Sequence, residues 1–564
     1  MSRWILPKEN KPLLEAIQTR FACTSTLAKI LINRGFTDLK KIDDYLNPCM
    51  SQTHNPFLLK DMDKAVSRIH KAIQNQEGIL VHGDYDVDGV TSASLLYLGL
   101  KELGAKNCSY FLPNRLVDGY GVSLEALNKA KKEGFSLMIT CDCGITAIKA
   151  LEHAEKLDMD VIVTDHHEPQ EHLPPALAVI NPKQKDCDYP FKELAGVGVA
   201  FKLLQALGLK ESSMDLLALG TVADVVPLKD ENRIFVTVGL LRLQKTEKIG
   251  LQSLLEVSDL WGKDFGSGHV GFQLAPRINA IGRLGDPTDG LRMIISDDYV
   301  FARNIAKKLD LENKKRKSIE KDILNEAKQM VLNDSSYQEN KVLVLYQALW
   351  HQGVIGIVAS RIVEHFHKPC LMIGAPDQEG YCKASCRSIP AFHVLDALAA
   401  NADHLKGYGG HAYAAGFSIH ESSIEAFRKD VNSYANTILT IDDCQAEFSI
   451  DAIVSLGDLT WNLQKELEER LAPFGASNVR PLFASKGVYL KSCPRVVGRD
   501  HLRLELGAAI GTSWTAMAFQ KVALLDTLSE CFRQKKSLHL LYHFVTNSWQ
   551  GETFLQLHVK DIWL

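Results

Sequence analysis

Three short β-rich runs in the first third of the chain each lead into an acid, and this narrows the fold more than any other feature. Ile79-Leu80-Val81 leads to Asp84, Leu137-Met138-Ile139-Thr140 to Asp142, and Val161-Ile162-Val163-Thr164 to Asp165. Runs this short and this continuously apolar fit strands buried on both faces, as in a parallel sheet covered by helices. The helical stretch Ser92 to Leu103 after the first run supplies such a cover. Open α/β sheets collect ligands outside the carboxyl ends of their strands, so three strands delivering acids at that end predict one shared crevice.

At 564 residues the chain exceeds a single hydrophobic core, and three or four units are expected. Residues 1–50 read as short helices leading into the first strand, and 51–240 as the parallel-sheet lobe. Residues 241–335 are a helical region ending in a long polar connector helix from about Phe301 to Leu332, and 336–430 a second α/β lobe. From 431 to 564 the rhythm changes to period two: Leu502, Leu504 and Leu506 alternate with Arg503 and Glu505, and Leu555, Leu557 and Val559 with Gln556, His558 and Lys560. That alternation predicts half-buried antiparallel strands closing into a small β-barrel.

A net charge of −4 gives no global basic footprint, which weighs against a protein that coats duplex nucleic acid. Locally, residues 301–330 hold nine Lys or Arg against five Asp or Glu, either a solvated helix face or a strand-binding one. Twelve cysteines scattered along so long a chain imply reduced thiols, and Cys141-x-Cys143, too tight for a zinc knuckle, reads as two core thiols. The amino terminus has no apolar run and no stretch of about 18 apolar residues occurs, so a cytoplasmic protein without membrane attachment is expected.

The acids carry the chemistry. Asp84-Tyr-Asp86-Val-Asp88-Gly89 places three carboxylates in a strand-to-helix loop. It resembles the start of a calcium loop, but the twelfth position is Leu95 where a glutamate is required. Asp165-His166-His167 offers an imidazole with a neighbouring acid to fix its tautomer. Asp224 lies in an apolar stretch where an ionised carboxylate is costly unless paired, capped or bound to a metal. Asp86, Asp88, Asp142, His166 and Asp224 are enough to hold two divalent ions about 3.5–4 Å apart, bridged by a hydroxide, for phosphoester hydrolysis without a protein nucleophile.

The order Asp84-Tyr-Asp-Val-Asp-Gly, Asp142-x-Gly, Asp165-His-His and Asp224 resembles the DHH phosphoesterase superfamily, and the detail resembles its RecJ exonuclease branch. The resemblance covers nearly the whole chain. It includes Pro113-Asn-Arg115-Leu-Val-Asp-Gly-Tyr-Gly121, Gln273-Leu-Ala-Pro-Arg277-Ile-Asn279-Ala-Ile-Gly282-Arg283, His351 to Arg361, Arg387-Ser388-Ile-Pro390 and Gly409-Gly410-His411-Ala-Tyr-Ala-Ala-Gly416. It implies a parallel-sheet DHH lobe, a DHH-associated α/β lobe joined to it by a long helix, and a carboxy-terminal OB-like barrel.

It further implies a metal site of Asp84, Asp86, Asp88, Asp142, His166 and Asp224 for two ions, Mn2+ or Mg2+, with Asp165 beside it and His167 against the scissile phosphate. His82 matches a ligand histidine of other branches, or simply closes a strand. Arg115, Arg277, Asn279, Arg283, Ser385, Arg387, Ser388, Gly409, Gly410 and His411 are implied as the substrate pocket, with Arg115 and Arg283 reaching in from the first lobe. Relatives are glycine-rich before the Arg-Ser pair, whereas this chain has Lys383-Ala384-Ser385-Cys386, which leaves the serine and arginine in register. Barrel residues Arg480, Lys486, Arg499, Arg503 and Trp514 are candidates for holding a strand.

The implied activity is 5′-to-3′ hydrolysis of single-stranded DNA to mononucleotides in recombination and repair, beside a RecQ-type helicase and a single-strand-binding protein. A small-substrate phosphodiesterase acting on short oligonucleotides or cyclic dinucleotides, and a non-catalytic binding module, are the alternatives.

Overall fold

The computed structural model describes residues 3–7, 10–114, 121–211, 213–507, 513–549 and 552–564; Arg115 lies outside them. The chain forms two compact units, one of residues 4–275, 287–303 and 448–564, the other chiefly of residues 276–286 and 304–447.

In the first unit, β1 (Gly78–Gly83) leads through α1 (Val87–Glu102) to β2 (Cys108–Phe111), followed by β3 (Phe135–Cys141), β4 (Asp160–Thr164) and β5 (Ala178–Ile180). Helices α2 (Gly196–Ala206) and α3 (Met214–Ala223) pack against α1. The sheet order is β2-β1-β3-β4-β5 and every pair is parallel. All six residues of β1 are buried, as an apolar run without alternation requires. The chain steps from β1 outward to β2 and then across to β3, so the winding reverses between β1 and β3, where α/β sheets open a ligand crevice. Register fixes the acids there: Gly83 is opposite Cys141, and Cys141 opposite Thr164. The next residues, Asp84, Asp142 and Asp165, therefore leave three adjacent strands at one level.

The barrel belongs to the same unit: β11 (Ala452–Ile453), β12 (Phe483–Leu490), β13 (Arg495–Val497), β14 (His501–Gly507), β15 (Ser513–Ala518), β16 (Leu538–Trp549) and β17 (Glu552–Trp563), in the order β11-β12-β16-β17-β15-β14-β13. Closure comes from β12 pairing with β14 at Tyr489–Gly507 and Leu490–Leu506. Leu502, Leu504, Leu506, Leu557 and Val559 fill it as the alternation predicts. The amino-terminal helices depart from expectation. They do not simply lead into the first strand: Ile17, Leu27, Ile30, Leu31 and Ile42 share one core with the barrel residues Leu504, Leu538 and Tyr542. Each such side chain contributes roughly 1.5–3 kcal/mol on burial, so residues 11–46 are part of the barrel's core.

The second unit is built on β6 (Leu343–Tyr346), β7 (Cys370–Pro376), β8 (Tyr381–Arg387), β9 (Leu405–Gly410) and β10 (Ala414–His420), in the order β9-β10-β8-β7-β6 with only β6–β7 parallel. Its helices include α4 (Gln352–Phe366) between β6 and β7 and α5 (Ile424–Ile438) after β10. The boundary expected at 430 falls inside α5, and the unit runs on to Glu447; the boundary at 240 falls inside a helix, Asp230–Gln244. The connector helix spans Tyr299–Asn333. Lys314 and Lys315 on it pair with Asp310 and Glu312, each at 2.7 Å, which favours the solvated-face reading of that basic stretch. Among the described residues no helix is long and apolar enough to cross a membrane.

Candidate active site

Asp86 caps α1: its Oδ1 accepts the amides of Asp88 at 2.9 Å and Gly89 at 3.1 Å. A Cβ on Gly89 would stand 2.4 Å from the carbonyl oxygen of Asp84 and 2.6 Å from its carbonyl carbon. The turn can close only around a glycine, and the closure keeps Asp84 at the mouth of the sheet. Asp88, in the first turn of α1, turns to the start of α2: Oδ2 accepts the Gly196 amide at 2.7 Å and Oδ1 the Val197 amide at 2.8 Å. A helix amino terminus is a favourable seat for a carboxylate.

Asp142 leaves β3 in the left-handed region, with φ +60°, and its amide donates to the Thr164 carbonyl at 3.1 Å. A Cβ on Gly196 would lie 2.7 Å from Asp142 Cβ and 2.8 Å from Oδ1, so the glycine opening α2 makes the room Asp142 occupies. Asp224 follows the last residue of α3. His166 gathers these segments, with Nε2 at 3.1 Å from Asp142 Oδ1, 3.6 Å from Asp224 Oδ2 and 3.9 Å from Asp88 Oδ2.

Asp165 has another task. Its Oδ1 accepts the amides of His166 at 2.7 Å and His167 at 3.1 Å and lies 2.7 Å from His167 Nδ1, and Oδ2 accepts the Ile145 amide at 2.9 Å. The acid thus orients His167, not the ring of His166, which corrects the sequence expectation that it fixes the ligand imidazole. His82 is fully buried in β1, with Nδ1 3.8 Å from Cys143 Sγ and its ring tilted against Phe111. It belongs to none of the ligand clusters found among the described residues. Cys141 and Cys143 are buried, as expected.

Electrostatics mark the acids as crowded. Burial, then the charge of Asp86, push Asp88 up to about 7. Burial, with Asp88 and Asp86 next in weight, holds Asp142 and Asp224 well above the usual carboxylate range. Burial and the neighbouring His167 drive His166 down to about 3, leaving it neutral. Burial alone would raise Asp165 and lower His167. Their mutual hydrogen bond reverses both, keeping Asp165 below and His167 above the ordinary value.

The buried Nε2 of His166 and Oδ2 of Asp224 have no hydrogen-bond partner among the described residues. Such an orphaned pair among crowded carboxylates is costly unless a cation joins them. Oxygen-rich donors with one imidazole suit hard divalent ions such as Mg2+ or Mn2+. Three ligand clusters overlap here: Asp84-Asp86-Asp142, Asp88-His166-Asp224 and Asp142-His166-His167, the ligand atoms of each within 4.8 Å of one another. The sequence reading missed Gly196 and Val197, whose only signal is a glycine opening a helix where no capping side chain stands.

The implied substrate residues within the described chain all fall in the second unit. That moves Arg283 out of the first lobe: its Nη1 donates to the Gly353 carbonyl, at the start of α4, at 2.7 Å. A Cβ on Gly356 would lie 2.8 Å from Ser385 Oγ and 3.4 Å from Arg387 Nη2, so α4, Ser385 and Arg387 converge. Arg387 Nη1 also donates to the Cys386 carbonyl at 2.7 Å. Arg277 is paired with Asp310, Nε and Nη2 each at 3.0 Å, and Ser388 Oγ donates to the Phe392 carbonyl at 2.6 Å. Asn279 is half-buried. Gly409 and Gly410 end the exposed edge strand β9, and the His411 amide donates to the Ala414 carbonyl at 2.8 Å. On the barrel, Arg480 is paired with Glu468 and stacked over Phe474, Arg503 is paired with Glu505, and Trp514 packs edge-on to Phe544; Lys486 and Arg499 are exposed.

Known proteins are similar to this chain along nearly its whole length. The DHH family, N-terminal domain, matches residues 78–221, the DHHA1 domain residues 339–437 and the RecJ OB domain residues 450–561. The single-stranded-DNA-specific exonuclease RecJ of Bacillus subtilis (strain 168) is 35% identical over 99% of this chain and 70% of its own length. That of Escherichia coli (strain K12) is 36% identical over 90% of each. The crystal structure of Thermus thermophilus RecJ in complex with Mn2+ superposes with a TM-score of 0.83 at 30% identity, covering 100% of this chain and 79% of that one; the Mg2+ complex gives 0.76 at 28% identity, covering 99% and 78%. With the DHH, DHHA1 and RecJ OB domains all matched and identity at this level along nearly its full length, the chain belongs to the RecJ family.

Proposed function

We propose that the protein is a metal-dependent exonuclease specific for single-stranded DNA, hydrolysing phosphodiester bonds from a 5′ end to release 5′-mononucleotides. It would use two divalent cations, manganese or magnesium, held by Asp84, Asp86, Asp88, Asp142, His166 and Asp224. The observation that carries this reading is the convergence on His166 Nε2 of carboxylates from three separate segments, all within 3.9 Å. When bound, such cations lower the pKa of a water and neutralise the charge that builds on the phosphate.

The chain's own residues then divide the work. Asp88 is locked by the α2 amides, so its outward lone pairs hold one direction. Gly196 leaves Asp142 its place. With Nδ1 engaged by Asp165, His167 offers Nε2 as its other hydrogen-bonding atom, and its raised pKa favours the protonated ring that donates to a phosphate oxygen. In the second unit, the positive amino-terminal end of α4 together with Arg283, Ser385 and Arg387 supports capture of a terminal phosphate.

Replacing Asp165 by asparagine is expected to lower kcat about 10- to 100-fold, the usual range for a residue that orients another. KM and the cation dissociation constant should stay near the parent's. A matching loss of cation affinity in a titration would instead make Asp165 part of the binding set.

Cation binding should also depend on pH in a defined sense. The stabilisation from the raised pKa of Asp88 is full below about pH 4 and is lost as pH rises through about 7. A cation takes the ionised form and reverses that loss. Melting curves with and without Mn2+ should therefore show a larger cation-induced rise in Tm at pH 8 than at pH 5.5. Equal rises at both would contradict the crowded-carboxylate account.

Polarity and strand preference are tested together by digesting single-stranded and duplex DNA labelled at either end. Early release of the 5′ label from single strands, with duplex resistant, is the expected result; early 3′ release or equal duplex cleavage would overturn it. The closed barrel, where residues 450–561 match the RecJ OB domain, favours a long strand over a small cyclic dinucleotide. With every expected acid in place, a non-catalytic module is disfavoured. We further propose the cytoplasm as its compartment, and as partners a RecQ-type helicase and a single-strand-binding protein, which would supply and present the single strand that such an enzyme consumes.

A further inference from the structure

Phe272 is the most exposed aromatic among the described residues, and the site described above does not use it. It is 75% exposed and sits in a one-turn π-helix, Val270–Leu274, a rare form of backbone that recurs at functional positions. The turn abuts the helix that delivers Asp224: a Cβ on the adjacent Gly271 would lie 3.8 Å from Val222 Cγ1, and Val222 is two residues before Asp224. Val225, the residue after Asp224, is 69% exposed and has φ +62°, a conformation that β-branched residues avoid.

Both segments are anchored. Ser267 Oγ donates to the Phe474 carbonyl at 2.5 Å, and the Leu228 amide to the Ala476 carbonyl at 2.8 Å. Two apolar side chains are thus held in water on anchored segments, one directly after Asp224 and the other on the turn whose Gly271 faces Val222, two residues before it.

Resting on the single-strand nuclease reading, we propose that Phe272 stacks on the nucleobase next to the phosphate at the carboxylate cluster, with Val225 as an apolar neighbour. A single strand alternates anionic phosphates with flat aromatic faces. A cluster built for the phosphate with an exposed ring alongside matches that alternation. Stacking on such a ring tolerates any base, as an enzyme that moves along a strand requires. It would hold the strand against sliding while the phosphate is positioned.

The test uses the full-length protein without added divalent cation, so that the strand is not digested. Oligonucleotides carry a single fluorescent 2-aminopurine, or an abasic residue, at successive positions from the 5′ end. The parent should quench 2-aminopurine at one position. Phe272→Ala should abolish that quenching and weaken binding of the base-bearing strand about 5- to 100-fold, while binding of the strand abasic at that position stays within about two-fold, since the exposed site has little structural role. Phe272→Trp should keep both quenching and affinity. Undiminished quenching in Phe272→Ala, or equal losses on base-bearing and abasic strands, would overturn the assignment, the latter pointing to an apolar surface for another protein. A parent that binds no single strand would bring down the nuclease reading as well, whereas a parent that binds and digests strands while Phe272→Ala matches it would sink the stacking role alone.

Discussion

Asp142→Ala is expected to lower kcat/KM on single-stranded DNA by about a thousand-fold or more, on the order of 4 kcal/mol of transition-state stabilisation. Among the described carboxylates it alone takes part in two of the three ligand clusters, and it lies 3.1 Å from His166 Nε2. On the proposed reading, its removal would take a ligand from both cation positions at once. Stability should move the other way. Asp142 is buried, and its neighbours Asp88 and Asp224 repel it, so without cations the alanine protein should melt at or above the parent's temperature. Adding Mn2+ should then raise its Tm far less than the parent's. Digestion assays and melting curves on the same preparations separate this outcome from simple misfolding, which would lower activity and Tm together.

The second large effect belongs to a residue with no side chain. Gly89→Ala forces a Cβ to within 2.4 Å of the Asp84 carbonyl oxygen and 2.6 Å of both its carbonyl carbon and its nitrogen. These are backbone atoms, so no rotamer change relieves the clash, and the start of α1 has to shift. Overpacking in a well-packed place costs roughly 1–3 kcal/mol, and with backbone on both sides the upper end is expected. That corresponds to a fall in Tm of a few degrees for a unit of this size. Activity should fall with it even below the melting range, because Asp84 and the Asp86 cap ride on that turn. Gly266→Ala is the control: its added Cβ meets nothing within 4 Å, and both Tm and activity should be unchanged. A Gly89→Ala protein with parental Tm and activity would show that the turn is softer than its contacts imply.

The strand-to-acid pattern was readable in the chain because burial on both faces leaves an unbroken apolar run, and a carboxylate can follow it only where the strand emerges. Register then did the rest: with Gly83 beside Cys141 and Cys141 beside Thr164, the three acids could not avoid one another. The barrel was readable for a related reason, its period of two.

What escaped the reading depends on contacts between residues distant in sequence. Nothing local in Ile17 or Leu31 says that they pack against Leu504 and Tyr542 rather than the nearby sheet. Nothing in Arg283 places it with Gly353. Asp165 has two histidines beside it, and only the backbone path decides that its oxygen meets Nδ1 of His167. Gly196 looks like a helix start without a cap until Asp142 fills the space that its hydrogen leaves.

On the proposed function, these strand ends and helix starts fold into one seat for a pair of cations. Anomalous diffraction from crystals of the protein grown with Mn2+ tests it most directly. Two manganese peaks are expected, each roughly 2.0–2.4 Å from its carboxylate oxygens, with Asp142 touching both and His166 Nε2 touching one. Peaks elsewhere, or none at the cluster in a preparation that digests single-stranded DNA, would contradict it.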